Sequence, residues 1–151
     1  MSARFVADPT VGKLAKWLRI MGYDVSHLSL HKPEQIRSMI KEGRRLLTKN
    51  SRCALRCEEA LLIRSDHVAE QLRQLRNEGC IKADRTLWFT RCMLCNEVLL
   101  DASPQDAGEN VPDYVFLENP SGIRSCPSCR RFFWPGSHKQ KMIAQLEAWG
   151  F

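Results

Sequence analysis

Arg4-Phe5-Val6-Ala7-Asp8 is a short apolar run that ends on a carboxylate, and Pro9-Thr10-Val11-Gly12 opens a helix directly after it. An unbroken apolar run suits a strand buried on both faces, as in a parallel sheet. In open parallel α/β sheets, ligands bind in the crevice beyond the carboxyl ends of the strands, where the strand order reverses. A first strand at the centre of such a sheet would deliver Asp8 to that crevice. Read alone, Asp8 is a turn or cap residue, so its meaning depends on what else reaches the same edge.

Working outward, Val11, Leu14, Ala15, Leu18 and Met21 recur at helical spacing with Lys13, Lys16 and Arg19 between them, and Gly22 ends that helix. Residues 23–28 read as a second strand. Pro33-Glu34 opens a second helix with Ile36, Met39 and Ile40 as its apolar stripe, and Gly43 stops it. Arg45-Leu46-Leu47-Thr48 is a third strand running into Lys49-Asn50, followed by a short helix around residues 53–58. Residues 60–63 make a fourth strand, and Val68, Leu72 and Leu75 mark a helix over about 66–77. Strands alternating with helices imply parallel pairing through right-handed crossovers. The fold class is α/β, a small doubly wound parallel sheet over residues 1–85. A second module occupies 86–151, in which residues 102–119 read as a long aperiodic excursion and 139–149 as a closing amphipathic helix with Met142, Ile143 and Leu146.

The chain of 151 residues is 44% hydrophobic, as globular proteins are, and contains nothing close to an apolar run of about 18 residues. No membrane span is expected, and Met1-Ser2-Ala3-Arg4 leads into a strand rather than a signal core, so the cytoplasm is the expected location. The net charge of +6 is uneven: residues 1–85 carry +7 and residues 86–151 carry −1. A basic first module fits a polyanionic partner such as RNA. Lys13, Lys16 and Arg19 share a helix face, and Lys49 and Arg52 lie near Asn50 among further arginines. Such charges neutralise phosphates. Arg130-Arg131-Phe132-Phe133-Trp134 interleaves basic and aromatic residues as single-strand binders do, although these aromatics also suit a small core. His138 could touch a phosphate or make a structural turn.

Seven cysteines in a cytosolic chain argue for metal before disulfides. Cys92-x-x-Cys95 and Cys126-x-x-Cys129 are two matched pairs, and each such turn presents two thiolates to one ion. Four cysteines close a tetrahedral shell and leave no open position, so the metal should be structural, with zinc the expected ion and iron the alternative. Asn96 and Arg130 follow the pairs as knuckle residues. Cys53, Cys57 and Cys80 read as ordinary thiols, though Cys53 and Cys57 share a helix face where a second metal is conceivable.

Divalent-metal nucleases need carboxylates converging from several strand ends, because Mg²⁺ prefers hard oxygen ligands and keeps water that can attack. Asp8, Glu34, Asn50 and Asp66 all fall at the carboxyl edge of the sheet or at the helix starts beyond it. Each also has a structural reading: Glu34 as a first-turn acid, Asp66 as an N-cap, Asn50 as a turn residue.

Asp8 with Leu14-Ala15-Lys16-Trp17-Leu18-Arg19-Ile20-Met21-Gly22-Tyr23-Asp24 resembles the opening of the PIN-like RNase domain known from the C-terminus of the mut-seven exonuclease. Leu46-Leu47-Thr48-Lys49, Glu70-Gln71-Leu72, Arg91-Cys92-x-x-Cys95-Asn96, Cys126-Pro127-x-Cys129 and Trp134-x-Gly136-Ser137-His138 continue the match in the same order, over nearly the whole chain. The resemblance implies a PIN-like α/β fold with an appended zinc ribbon and a Mg²⁺- or Mn²⁺-dependent endoribonuclease. The ion would be held by Asp8 and Asp66, with Glu34 and Asn50 completing the site. Family members usually carry Asp where this chain has Asn50, and the 30–34 loop is less acidic than the resemblance leads one to expect. The leading expectation is therefore a ribonuclease impaired at Asn50, and the alternative is a non-catalytic RNA-binding or adaptor module. A phosphatase using Asp8 as nucleophile is a weaker third reading, because Thr10 stands where an Asp-x-Asp motif needs its second acid.

Overall fold

A computed structural model describes residues 2–27 and 33–151. They form two compact units, one extending to Asn96 and the other from Glu97 to Phe151. The first contains β1 (Arg4–Ala7), α1 (Gly12–Ile20), β2 (Asp24–His27), α2 (Pro33–Lys41), β3 (Arg45–Thr48), α3 (Ser51–Leu55), β4 (Ala60–Leu62) and α4 (Val68–Asn77). Its sheet runs β2-β1-β3-β4 and is parallel throughout, so the doubly wound α/β fold is the one expected. The chain leaves β1 for β2 on one side and returns to β3 on the other. Strand order therefore reverses at β1, and its carboxyl end opens on the crevice.

β1 is continuous in apolar residues because both of its faces are covered: Phe5, Val6 and Ala7 are fully buried. Leu14, Ala15 and Leu18 of α1 and Leu72 and Leu75 of α4 fill the same core, and Phe5 meets Tyr23 edge-on with ring centroids 6.1 Å apart. Ile36, Met39 and Ile40 of α2 are only half-buried. Position 28, expected in the second strand, lies outside the described residues. Both free sheet edges are closed by side chains, which blunts pairing with foreign strands. On β4, the Gln74 amide nitrogen donates to Leu62 O (2.8 Å) and its oxygen accepts from Arg64 N (3.1 Å). On β2, Val25 N donates to Asn96 Oδ1 (2.9 Å) and Val25 O accepts from Arg19 Nε (2.8 Å).

The Gly22-Tyr23-Asp24 motif is structural. Gly22, at φ +96°, closes α1 as Tyr23 N reaches back to Leu18 O. The Tyr23 hydroxyl bridges Lys82, accepting from its N–H and donating to its carbonyl. Asp24 accepts from Arg44 (2.7 and 3.2 Å) and from Asn96 Nδ2 (2.7 Å). Burial works against the Asp24 charge, but the hydrogen bonds from Arg44 and Asn96, with the charges of Arg44 and Arg91, outweigh it and hold its carboxyl below the ordinary aspartate value. A depressed folded-state value stabilises the fold above the unfolded pKa of about 3.9 and ceases to do so as pH falls through the folded one. Asp24→Asn is therefore expected to lower the denaturation midpoint near neutral pH and to flatten its decline below about pH 4, as chemical unfolding at a series of pH values would report.

The second unit contains β5 (Leu100–Asp101), α5 (Pro104–Asn110), α6 (Asp113–Glu118), β6 (Arg124–Ser125), β7 (Phe132–Phe133) and α7 (Ser137–Ala148), with an antiparallel sheet β5-β6-β7. The excursion expected over 102–119 is instead largely helical. Ser103 caps α5 through Oγ, which accepts from Asp106 N (3.1 Å), and Pro104 occupies the first turn, where its missing N–H costs nothing. Ala107, Val111 and Val115 recur every four residues and form a core with Ile123, against which Phe132 and Trp134 pack while partly exposed.

Candidate functional site

Asp8 follows β1 at the crest of the sheet and is 3% exposed. Its Oδ1 accepts from the Thr10 amide (3.0 Å) and the Thr10 hydroxyl, and its Oδ2 accepts from the Thr48 hydroxyl. Each threonine passes the restraint on: Thr10 Oγ1 accepts from Lys49 N and Thr48 Oγ1 from Asn50 N, both at 3.0 Å. One carboxylate thus ties the end of β1 to the end of β3, with three of its roughly four acceptor positions in use.

The other expected members of the acidic site are placed differently. Asn50 Oδ1 accepts from Arg52 N (2.9 Å) and Cys53 N (3.3 Å), so its side chain is the N-cap of α3 and starts that helix at Ser51. Glu34 stands exposed in the first turn of α2. Asp66 does not cap α4, whose N-cap is His67, and it pairs instead with Lys49 Nζ. The cysteine quartet is the one group of three or more His, Cys, Asp or Glu side chains gathered closely enough for a metal among the described residues, and residues 28–32 contain no carboxylate. One hydrogen-bonded aspartate, a capping amide and an ion-paired aspartate do not make the converging oxygen set that a resident Mg²⁺ or Mn²⁺ needs.

Beside this crest lies a cavity of about 440 Å³ whose walls include Thr10, Gly12, Lys13, Lys49, Asp66 and Gln71. Lys13 is exposed and Lys49 half-buried, so two of the expected RNA-contacting cations meet here. Lys16 and Arg52 are exposed on α1 and α3, Arg130 and Arg131 flank β7 in the open, and His138 is exposed in the first turn of α7. Arg19 corrects its expectation. Despite sharing a helix with Lys13 and Lys16, it is 8% exposed and donates to Val25 O, Met93 O (3.2 Å) and Leu94 O (3.1 Å), so it does not face solvent phosphate.

His27, not singled out in the sequence, ends β2 in register with Ala7 and so lies at the same sheet edge as Asp8. Its Nε2 is buried against Gly12, without a hydrogen-bond partner among the described residues. Burial and the Arg19 charge lower its pKa, opposed by Asp8, which favours the neutral ring. The available signal was positional: equivalent last residues of neighbouring parallel strands converge on one edge.

The sulfurs of Cys92, Cys95, Cys126 and Cys129 lie within 4.8 Å of one another, and a tetrahedral Zn–S shell of about 2.3 Å bonds separates sulfurs by about 3.8 Å. The two turns repeat one geometry. Asn96 N and Arg130 N donate to Cys92 O and Cys126 O at 2.8 and 2.9 Å, with φ of +68° and +60°. Cys95 N and Cys129 N approach Cys92 Sγ and Cys126 Sγ at 3.4 and 3.5 Å. Four thiols with amides aimed at sulfur fit a closed structural zinc site.

The family described as Mut7-C RNAse domain matches residues 3–146. No curated protein and no solved structure matches the chain. No helix among the described residues is long and apolar enough to cross a membrane.

Proposed function

This chain belongs to the Mut7-C RNase domain family, and from that premise we propose that it is an RNA-binding member of it. In this reading it holds a backbone phosphate at the cavity beside Lys13 and Lys49, and lacks a resident catalytic ion. The observation that carries the reading is that Asp8 and Asn50 are held by hydrogen bonds and Glu34 stands exposed on α2, while Lys13 and Lys49, the latter paired with Asp66, line the cavity next to Asp8. Binding of this kind rests on phosphate neutralisation and is steeply salt-dependent. The four cysteines supply structure and take no part in chemistry.

Fluorescence anisotropy with a labelled single-stranded RNA over a range of salt tests the binding half. Lys13→Ala is expected to weaken binding and to reduce the log–log salt slope by about 0.7 for one lost phosphate contact. An unchanged slope and affinity would remove the cavity from the interface.

Hydrolysis is the second reading, favoured by the buried anchoring of Asp8 at the crest of the central strand. Its divalent ion would have to arrive with the RNA phosphate. The two readings part in a cleavage assay with Mn²⁺. Under the first, the wild type leaves RNA as intact as the Asp8→Asn variant does; Asp8-dependent cleavage overturns it. Asn50→Asp adds a carboxylate at no cost to the α3 cap, since Asp and Asn cap equally well. Because that carboxylate stays on the α3 amides while Asp8 and Asp66 keep their own partners, Mn²⁺ binding read by calorimetry is expected to stay as in the wild type.

A further inference from the structure

We infer that Arg19 and Asn96 are positioning residues that make metal loading of the first cysteine turn set the outer edge of the α/β sheet. Among the described residues, β2 is an edge strand that pairs with β1 only. The outward N–H and C=O of Val25 would otherwise be left to solvent, and both are taken by side chains that belong to or hold the Cys92–Cys95 turn. Asn96 Oδ1 accepts from Val25 N at 2.9 Å, and the same amide donates through Nδ2 to Asp24 Oδ1 at 2.7 Å. Arg19 Nε donates to Val25 O, while its Nη1 reaches Met93 O and Leu94 O, the two carbonyls between the cysteines. Arg91 adds a third tie, from Nε to Gly22 O (3.2 Å) and from Nη1 to Asn96 O (2.8 Å).

Asn96 can reach the strand because closure of the turn places it there. Its N–H bonds to Cys92 O at 2.8 Å and its backbone sits in the left-handed region at φ +68°. An ion bound by Cys92 and Cys95 fixes that closure, so it also fixes the strand edge. Linkage makes the effect reciprocal: an edge that holds the turn in its closed form raises metal affinity by the factor by which metal stabilises the edge. The far end of β2 is His27, level with Ala7, so the same device acts on the strand that ends beside the residue before Asp8.

The test uses the zinc-loaded 151-residue chain and an Asn96→Gly variant, since glycine accepts the left-handed backbone without strain and removes only the side chain. Zinc affinity is read by competition with a chromophoric chelator, and amide exchange at residues 24–27 and 45–48 by NMR. Expected are about tenfold weaker zinc binding in the variant, and exchange at Val25 that accelerates both in the zinc-loaded variant and in the chelated wild type. Unchanged zinc affinity in the variant overturns the inference even if Val25 exchanges faster, because Asn96 is then an edge cap with no link to the metal. If chelation also accelerates exchange at Leu46 and Leu47, unfolding has become general and the affinity of the folded, loaded variant decides alone. Arg19→Lys, which keeps the charge but loses the forked donor that reaches strand and turn together, is expected to weaken zinc in the same direction; wild-type affinity there would remove Arg19 from the device.

Discussion

Withdrawing zinc from the four cysteines is expected to collapse residues 97–151 into a loosely ordered chain. The sheet of that unit has two residues in each strand, and beside the aliphatic cluster of Ala107, Val111, Val115 and Ile123 its buried apolar side chains include Met142, Leu146 and Phe151. A module of this size rarely stands on its hydrophobic core alone and takes a metal in place of a larger one. Binding at a structural zinc site contributes on the order of 10 kcal/mol or more at neutral pH, and it is folding free energy because no site exists in the unfolded chain. Cys126→Ser should have nearly the effect of a chelator, since Cys126 is 1% exposed and its Sγ lies near the Cys129 amide. Trp134 packs on the cluster while partly exposed, so its fluorescence should shift to the red on chelation and return with added zinc. A metal-free protein with the same emission and the same melting temperature would show that the cysteines hold no structural ion.

Gly22→Ala is expected to be the most damaging alanine substitution at a glycine of the α/β unit. At φ +96° any side chain is strained, by about 1–2 kcal/mol. Here the added methyl would also overlap the Leu87 carbonyl oxygen and stand 2.7 Å from Leu87 Cβ. Backbone cannot swing aside as a flexible side chain does, and the 85–89 segment is itself tied back, with Phe89 N on Ile20 O at 2.8 Å. Together these put the loss at about 3 kcal/mol or more, which for a protein of this length lowers the melting temperature by roughly 10 °C. Gly79→Ala is the control. Gly79 has φ +76° but nothing within 4 Å of an added Cβ, so it carries the strain without the overlap and should cost clearly less. Equal losses at both sites would show that the Leu87 contact is not what requires glycine at position 22.

The strands were legible because burial on both faces writes them as apolar runs: Phe5-Val6-Ala7 and Leu46-Leu47 are buried as their composition requires. The helices between them followed from spacing, and α/β alternation then left few topologies open. Local sequence misled in two places, for different reasons. The segment 102–119 is rich in helix-breaking residues, yet Pro104 sits in a first turn that tolerates it and the four-residue spacing of Ala107, Val111 and Val115 carries the helices. Arg19 falls on the helix position of a basic surface residue, and it is buried because a cysteine turn more than 70 residues later supplies carbonyls for its guanidinium.

The candidate site divides in the same way. Sequence alone determined that Asp8 ends a strand at the sheet's carboxyl edge and that four cysteines form two matched turns able to hold a metal, because both depend on residue type and on spacing within a few positions. Whether the acids form one site depended on tertiary structure. Asp8 is occupied by the hydroxyls of Thr10 and Thr48, Asn50 by amides of α3, and Asp66 by Lys49. A carboxylate's chemistry is set by which donors or cations reach its oxygens first, and across a sheet those partners come from strands and helices far apart in the chain.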